Sequence, residues 1–233
     1  MNGIESCGRP PDLPQLSKSS AKAQELRIVL IKVFPHLRRK GLSVMMMEKE
    51  ATPVFFFTAD THFGHANVIS MCERPYANIE EMNEAMISAW NKRVTGNDTV
   101  YIVGDMFFRC EDPESILKRL RGKKRLLLGN HDGSWTSRVD LNKYFLSVDT
   151  MLETSDGKRA ITLCHYPLLS WKHAKRSYMI HGHIHRKTDI DYWPLLCSRD
   201  AVLNAGVDIN GFQPVTFDEL VENNRRWKAE NIS

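Results

Sequence analysis

Five short runs, spread over about half of the 233 residues, constrain this chain more than anything else in it. They are Asp60-Thr-His62, Gly104-Asp105, Gly129-Asn-His-Asp132, His165 and His181-Gly-His-Ile-His185. Each follows a hydrophobic stretch that reads as a β-strand. One strand end can present only one or two side chains to a common point. A set of hard and borderline ligands at the ends of several strands therefore calls for a sheet that gathers those ends, and open α/β sheets do this at their carboxyl edges. The ligand set is Asp60, His62, Asp105, Asn130, His165, His183 and His185, with His131 left over.

The segments between these runs agree with an α/β chain. Pro53–Ala59 is apolar and aromatic, and reads as a strand. Ile79, Met82, Met86, Ala89, Trp90 and Val94 fall on one face at helical spacing, which predicts a helix over Ile79–Val94. Asn97-Asp98 turns into a strand at Thr99–Val103. Asp112-Pro113 opens a helix to about Leu120, with Asp as N-cap and Pro at the first position. Lys124–Leu128 is the next strand. Beyond it, Phe145–Leu152, Ala160–Cys164, Tyr178–Ile180 and Ala201–Asn204 read as strands with few helices between them. Asp156-Gly157 signals a hairpin, and Phe217–Arg226 a closing helix.

Bulk properties bound the classes. A length of 233 residues with 42% hydrophobic content suits one domain with a sizeable core. No apolar run reaches the roughly 18 residues of a membrane span. The five cysteines form no CxxC pair, so free thiols in a reducing cytoplasm are expected. The net charge of +4 is misleading, because residues 1–46 carry 8 Lys/Arg against 3 Asp/Glu, whereas residues 47–233 carry 24 against 25. A near-neutral body argues against nucleic acid as the partner. Residues 1–46 read as an extension outside the core, most simply as upstream sequence with the domain beginning near Met47. A targeting peptide or an amphipathic partner-binding helix are the alternatives.

The ligands are nitrogen and oxygen without sulfur. That mixture suits Mn²⁺, Fe, Zn²⁺, Ni²⁺ or Co²⁺ better than Ca²⁺ or Mg²⁺ alone. The set is too large for one tetrahedral ion, but two ions sharing Asp105 would use all of it, and ion pairs about 3.5–4 Å apart serve phosphoester hydrolysis. The one-residue spacing of Asp60 and His62, and of His183 and His185, would put each pair on one side of a strand. His131 is the candidate general acid, with Asp132 to orient its ring or raise its pKa. His65 and Asn67 could touch substrate or cap a turn. His181 reads as structural, and Cys164 as a small buried residue.

Together, D-x-H, G-D, G-N-H-D, H and G-H-x-H resemble the signature of the calcineurin-like metallophosphoesterases, over roughly residues 52–225. The resemblance implies a four-layer α/β/β/α sandwich of two mixed sheets. It implies a first ion held by Asp60, His62, Asp105 and His185, and a second held by Asp105, Asn130, His165 and His183. It also implies in-line attack by a metal-bridging hydroxide on a phosphomono- or phosphodiester, with Mn²⁺ the leading metal. The partner expected is a small phosphoester, with nucleotide-like ones among the candidates, and not a membrane. Thr61-His-Phe-Gly-His-Ala-Asn67, Glu73-Arg-Pro75 and His165-Tyr-Pro-Leu-Leu-Ser-Trp171 are similar to small bacterial and phage-type members. Met106-Phe-Phe108 departs from the protein Ser/Thr phosphatases. A metal-binding interaction scaffold and a nuclease are the competing functions. Selectivity is expected from the loops Phe107–Glu114, Ser134–Asn142 and Ser170–Ser177.

Overall fold

The computed structural model describes residues 52–232. The extension expected over residues 1–46 therefore lies outside the described residues. In chain order the elements are β1 (Phe55–Thr58), α1 (Ala66–Met71), α2 (Ile79–Arg93), β2 (Thr99–Val103), α3 (Pro113–Leu117), β3 (Lys123–Leu127) and α4 (Gly133–Thr136). Then come β4 (Phe145–Asp149), β5 (Met151–Ser155), β6 (Ala160–Cys164), β7 (Ser177–His181), α5 (Trp193–Cys197), β8 (Val202–Asn204), β9 (Val215–Thr216) and α6 (Phe217–Glu230). Among the described residues, no helix is long and apolar enough to cross a membrane.

Two sheets form. The first runs β4-β3-β2-β1-β9 and the second β5-β6-β7-β8. β1 to β4 are parallel to their neighbours and β9 closes the edge antiparallel. In the second sheet the β5–β6 hairpin is antiparallel, while β6, β7 and β8 are parallel. Alternation along the strands divides the core. Phe56, Val100, Ile102 and Leu126 face a helical layer with Met82, Met86 and Trp90. Phe57, Ala59, Tyr101, Val103 and Leu127 face the other way, against Ile161, Leu163, Ile180 and Leu203 of the second sheet. The outer face of that sheet, Met179 and Val202, is covered by Trp193 and Leu196 of α5 and Trp227 of α6. The layers are helix, sheet, sheet, helix, as expected.

The local signals explain most boundaries. Asn78 caps α2 by accepting from the Glu81 N–H, and Asp112 caps α3 through the Ser115 N–H. The Phe145–Leu152 strand is a correction. The chain breaks at exposed Thr150, so that β4 and β5 are edge strands of different sheets. The stretch reads as one strand because apolar residues recur on both sides of the break, Phe145 serving the helical layer and Leu152 the inter-sheet core. The closing helix runs further than expected, to Glu230, because Trp227 and Lys228 remain buried.

β8 is an edge strand without an exposed edge. Asn224 of α6 accepts from the Asn204 N–H and donates to the Asn204 and Leu220 carbonyls. Lys228 nearby donates Nζ to the carbonyls of Arg199 and Val202 at 2.7 Å each. Burial lowers its pKa to about 8. That is below the ordinary lysine value, so above about pH 8 the unfolded chain holds this proton more tightly than the folded one. The lysine's contribution to stability therefore rises with pH between about 8 and 10.5. The unfolding free energy of the wild type relative to Lys228→Met, followed by urea denaturation, should increase across that window. A difference independent of pH would show that the buried amine stays charged.

Candidate metal centre

The five runs meet where the carboxyl ends of β1, β2 and β3 face those of β6 and β7. Asp60 and His62 lie past the end of β1, not within it, so strand alternation is not what brings them together. Instead the backbone turns left-handed at the ligands: φ is +54° at Asp60, +49° at His62, +51° at Asp105, +72° at His183 and +52° at His185. For residues other than glycine this region is unfavourable and is kept only where surrounding bonds dictate it. Here they do. Asp60 N–H donates to the Gly104 carbonyl, His62 N–H to that of Asp105, and Phe63 N–H to that of Met106. The second sheet joins through the His183 N–H, 3.0 Å from both carboxylate oxygens of Asp60.

Glycines in the motifs make the approach possible. A Cβ on Gly104, where φ is +85°, would strike the His165 ring. A Cβ on Gly129 would strike the Asp105 carboxylate. Each glycine thus clears space for a ligand on another run.

Three histidines show what the cluster can hold. His165 Nδ1 lies 2.9 Å from the Val103 carbonyl, which can only accept, so Nδ1 carries the proton. Nε2 then faces Asn130 Oδ1 at 3.1 Å and Asp105 Oδ2 at 3.4 Å; burial opposes a charge on the ring, but Asp105 and Asp60 raise its pKa, so a positive charge, proton or metal, is favoured between these atoms. His62 is 2% exposed and neither ring nitrogen has a hydrogen-bond partner. Burial drives its pKa down to about 2, with His185 adding to the effect, so the ring is neutral and its lone pair unused. His185 Nδ1 bonds Asp208 Oδ2 at 2.8 Å, leaving Nε2 for the cluster. Buried lone pairs that face oxygens or nothing are costly unless a cation lies among them. The donors Asp60, His62 and His185, and separately Asp60, Asp105 and His165, fall within 4.8 Å of one another and could each hold an ion. The arrangement fits a divalent metal.

The carboxylates carry the expected strain. Burial raises Asp60 to about 6, against the opposing pull of His185 and His165. Burial also pushes Asp105 up, but the bonds from His165 and the His131 N–H, with nearby His62, outweigh it and hold the group at about 2. Burial opposes a charge on His185, yet Asp208, Cys72 and Asp60 raise it to about 10. A metal would have to displace that proton.

Asn130 brings His165 and His183 together, with its Oδ1 3.1 and 3.0 Å from their rings. His131 projects beside them, its side chain 38% exposed and Nε2 3.9 Å from Asp105 Oδ2. Its ring meets the edges of His62 and Phe108 at centroid distances of 5.5 and 4.6 Å. Asp132 is a correction: it does not orient that ring. Its fully buried carboxylate accepts from the N–H groups of Asp105, Met106 and Gly129 and from Trp135 Nε1, at 2.7–2.9 Å. Asp132 is a staple between two ligand runs.

A profile of the calcineurin-like phosphoesterases matches residues 53–229. The chain belongs to that family. It is a hydrolase of phosphoester bonds. It is 30% identical to an uncharacterized protein of Methanocaldococcus jannaschii, over 72% of this chain and 89% of the other. It is 27% identical to the Gene 66 protein of Mycobacterium phage L5, over 63% and 91%. A solved protein of unknown function from Aquifex aeolicus shares the fold, with a TM-score of 0.59 and 24% identity over 73% of this chain and 99% of that one.

Two residues that support the centre were not legible as such in the sequence. Arg74 is 4% exposed and binds Asp208 through Nε at 2.8 Å and Nη2 at 3.1 Å. It also donates to the carbonyls of Thr61 and Asp60, at 2.9 and 2.7 Å. One guanidinium thus ties the loop of Asp60 to the carboxylate that orients His185. Glu73-Arg-Pro75 marked a similarity without a role, and nothing near Asp208 marks it at all. His65 lines the cleft above the centre and makes no capping bond, while Asn67 is exposed. His181 is buried with Nδ1 on the Gly182 carbonyl, a structural role. Partners that orient a metal-binding histidine are typically worth about 10–100-fold in metal affinity. Asp208→Asn should weaken Mn²⁺ binding by about that factor in a calorimetric titration, with helix content retained by circular dichroism. An unchanged affinity would leave Asp208 a fold residue only.

Proposed function

We propose that two divalent ions, Mn²⁺ foremost, occupy the centre: one held by Asp60, His62, Asp105 and His185, the other by Asp105, Asn130, His165 and His183. The observation that carries this reading is the convergence of two histidine nitrogens on one buried carboxylate oxygen. His62 has no partner on either ring nitrogen, and its Nε2 and that of His165 both point at Asp105 Oδ2, at 3.8 and 3.4 Å. Bound there, metals would acidify a water and neutralise phosphoryl oxygens for in-line hydrolysis of a phosphomono- or phosphodiester.

The chain's own residues supply the rest. Asp105 is held ionised at about 2, so its carboxylate is available to both ions at neutral pH. Its Oδ1 is fixed by the His131 N–H at 2.8 Å, which keeps Oδ2 directed to the histidines. His131 is the side chain placed to give a proton to the leaving oxygen. Its half-exposed ring can reach substrate, and Phe108 and His62 set its plane. Asp132 contributes by keeping the Asp105 and Gly129 loops in register.

With Mn²⁺ and an aryl phosphodiester, Asp105→Ala and Asn130→Ala should each abolish turnover and lower the number of ions bound per chain. Full activity in either variant would sink the two-ion reading. His131→Ala should bind both ions and lose kcat by about 10²–10⁴-fold, the usual range for a general acid. Lost metal with little change in kcat at saturating Mn²⁺ would instead make His131 a ligand.

A further inference from the structure

The cleft above the centre has two unlike sides. The loops expected to set selectivity do not line it. Its polar floor is the ligand cluster with His131, and its flank comes from α1 and the segment 184–192. That flank is apolar: Val68 and Met71 on one side, Ile184, Ile190 and Tyr192 on the other. Val68 and Ile184 are buried beneath, whereas Met71 is 67% exposed and Tyr192 40%. Single exposed apolar residues need no explanation, but two at the rim of one cleft, over a buried apolar base, form a shelf. The cleft measures about 390 Å³, within the range of small-ligand sites. Lys187 is the only Lys or Arg among its lining residues.

This combination is selective. A nucleic-acid polymer is held by a track of lysines and arginines with stacked bases, and this cleft's lining offers one lysine. A sugar phosphate without a base would leave the apolar flank with nothing to cover it. A flat ring with little polarity on its faces suits the shelf, and tyrosine and methionine both pack well on such rings. We propose that the cleft takes a low-molecular-weight phosphoester whose organic group carries a planar aromatic ring, as a nucleotide does, with the ring on Met71, Ile190 and Tyr192. Lys187 offsets phosphoryl charge that the floor leaves over. The phosphoryl end of this assignment rests on the two-ion reading above.

Calorimetric titration of the Mn²⁺-loaded full chain with adenosine 5′-monophosphate, ribose 5-phosphate and inorganic phosphate separates the parts. The nucleotide should bind on the order of tenfold or more tighter than ribose 5-phosphate, the usual scale of a base on an aromatic side chain. Met71→Ala and Tyr192→Ala together should erase that preference. Lys187→Ala should weaken all three ligands alike. Equal binding of nucleotide and sugar phosphate, with phosphate still bound, overturns the shelf and leaves the two-ion reading standing. Failure of all three to bind a metal-loaded chain that also lacks turnover overturns both. A single-stranded oligonucleotide that binds far more tightly than the mononucleotide, with steep salt dependence, would overturn the small-molecule assignment in favour of a nuclease.

Discussion

Four N–H groups converge on the buried carboxylate of Asp132, and the active edge of the protein depends on that convergence. Parallel strands end with unpaired backbone groups, and a buried strand end must satisfy them or lose stability. Asp132 satisfies those that leave β2 and β3 and adds the indole of Trp135. Asp105 and Asn130 can then protrude from loops that do not move independently. The same logic recurs across the sandwich. Asp60 receives the His183 N–H from the second sheet, and Asn224 completes the edge of β8 beside Asn204, whose own amide donates to the His185 carbonyl. Polar side chains do at the strand ends what a ladder does within a sheet.

Arg74 is the costliest of these devices. Its side chain and that of Asp208 are almost wholly out of water, and a buried ion pair is justified energetically only when its remaining hydrogen bonds are filled. They are: two go to Asp208 and two to backbone carbonyls of the Asp60 loop. Met82 closes the remaining side, its Sδ 3.6 Å from Arg74 Nη1.

Much of this was legible in the sequence, for reasons that can be stated. β2 and β6 fall where alternation and flanking turns put them, and α2 and α3 begin at the residues that cap them. The ligand runs were legible because metal chemistry restricts residue type as well as spacing. Three things were not. The break at Thr150 was hidden because each half contributes an apolar side chain, Phe145 and Leu152, to a different core. The staple role of Asp132 was hidden because a carboxylate beside a histidine looks like its partner, while its true partners are backbone groups 26 and 27 positions away. Asp208 was hidden because its bond to Arg74 spans 134 positions, and no local pattern reports a contact at that distance.

The left-handed backbone at Asp60, His62, Asp105, His183 and His185 has one more consequence. In small metal-dependent domains the ion itself drives the chain into shape, so that ligand geometry and folding arise together. Here the unfavourable torsions, of order 1–3 kcal/mol each, are imposed by bonds between loops and by two packed cores. The bonds between loops thus hold the donor atoms together alongside any ligation. Such a frame would limit the radius of the ion it accepts, so that metals of similar radius would exchange easily and a much larger one would fit poorly.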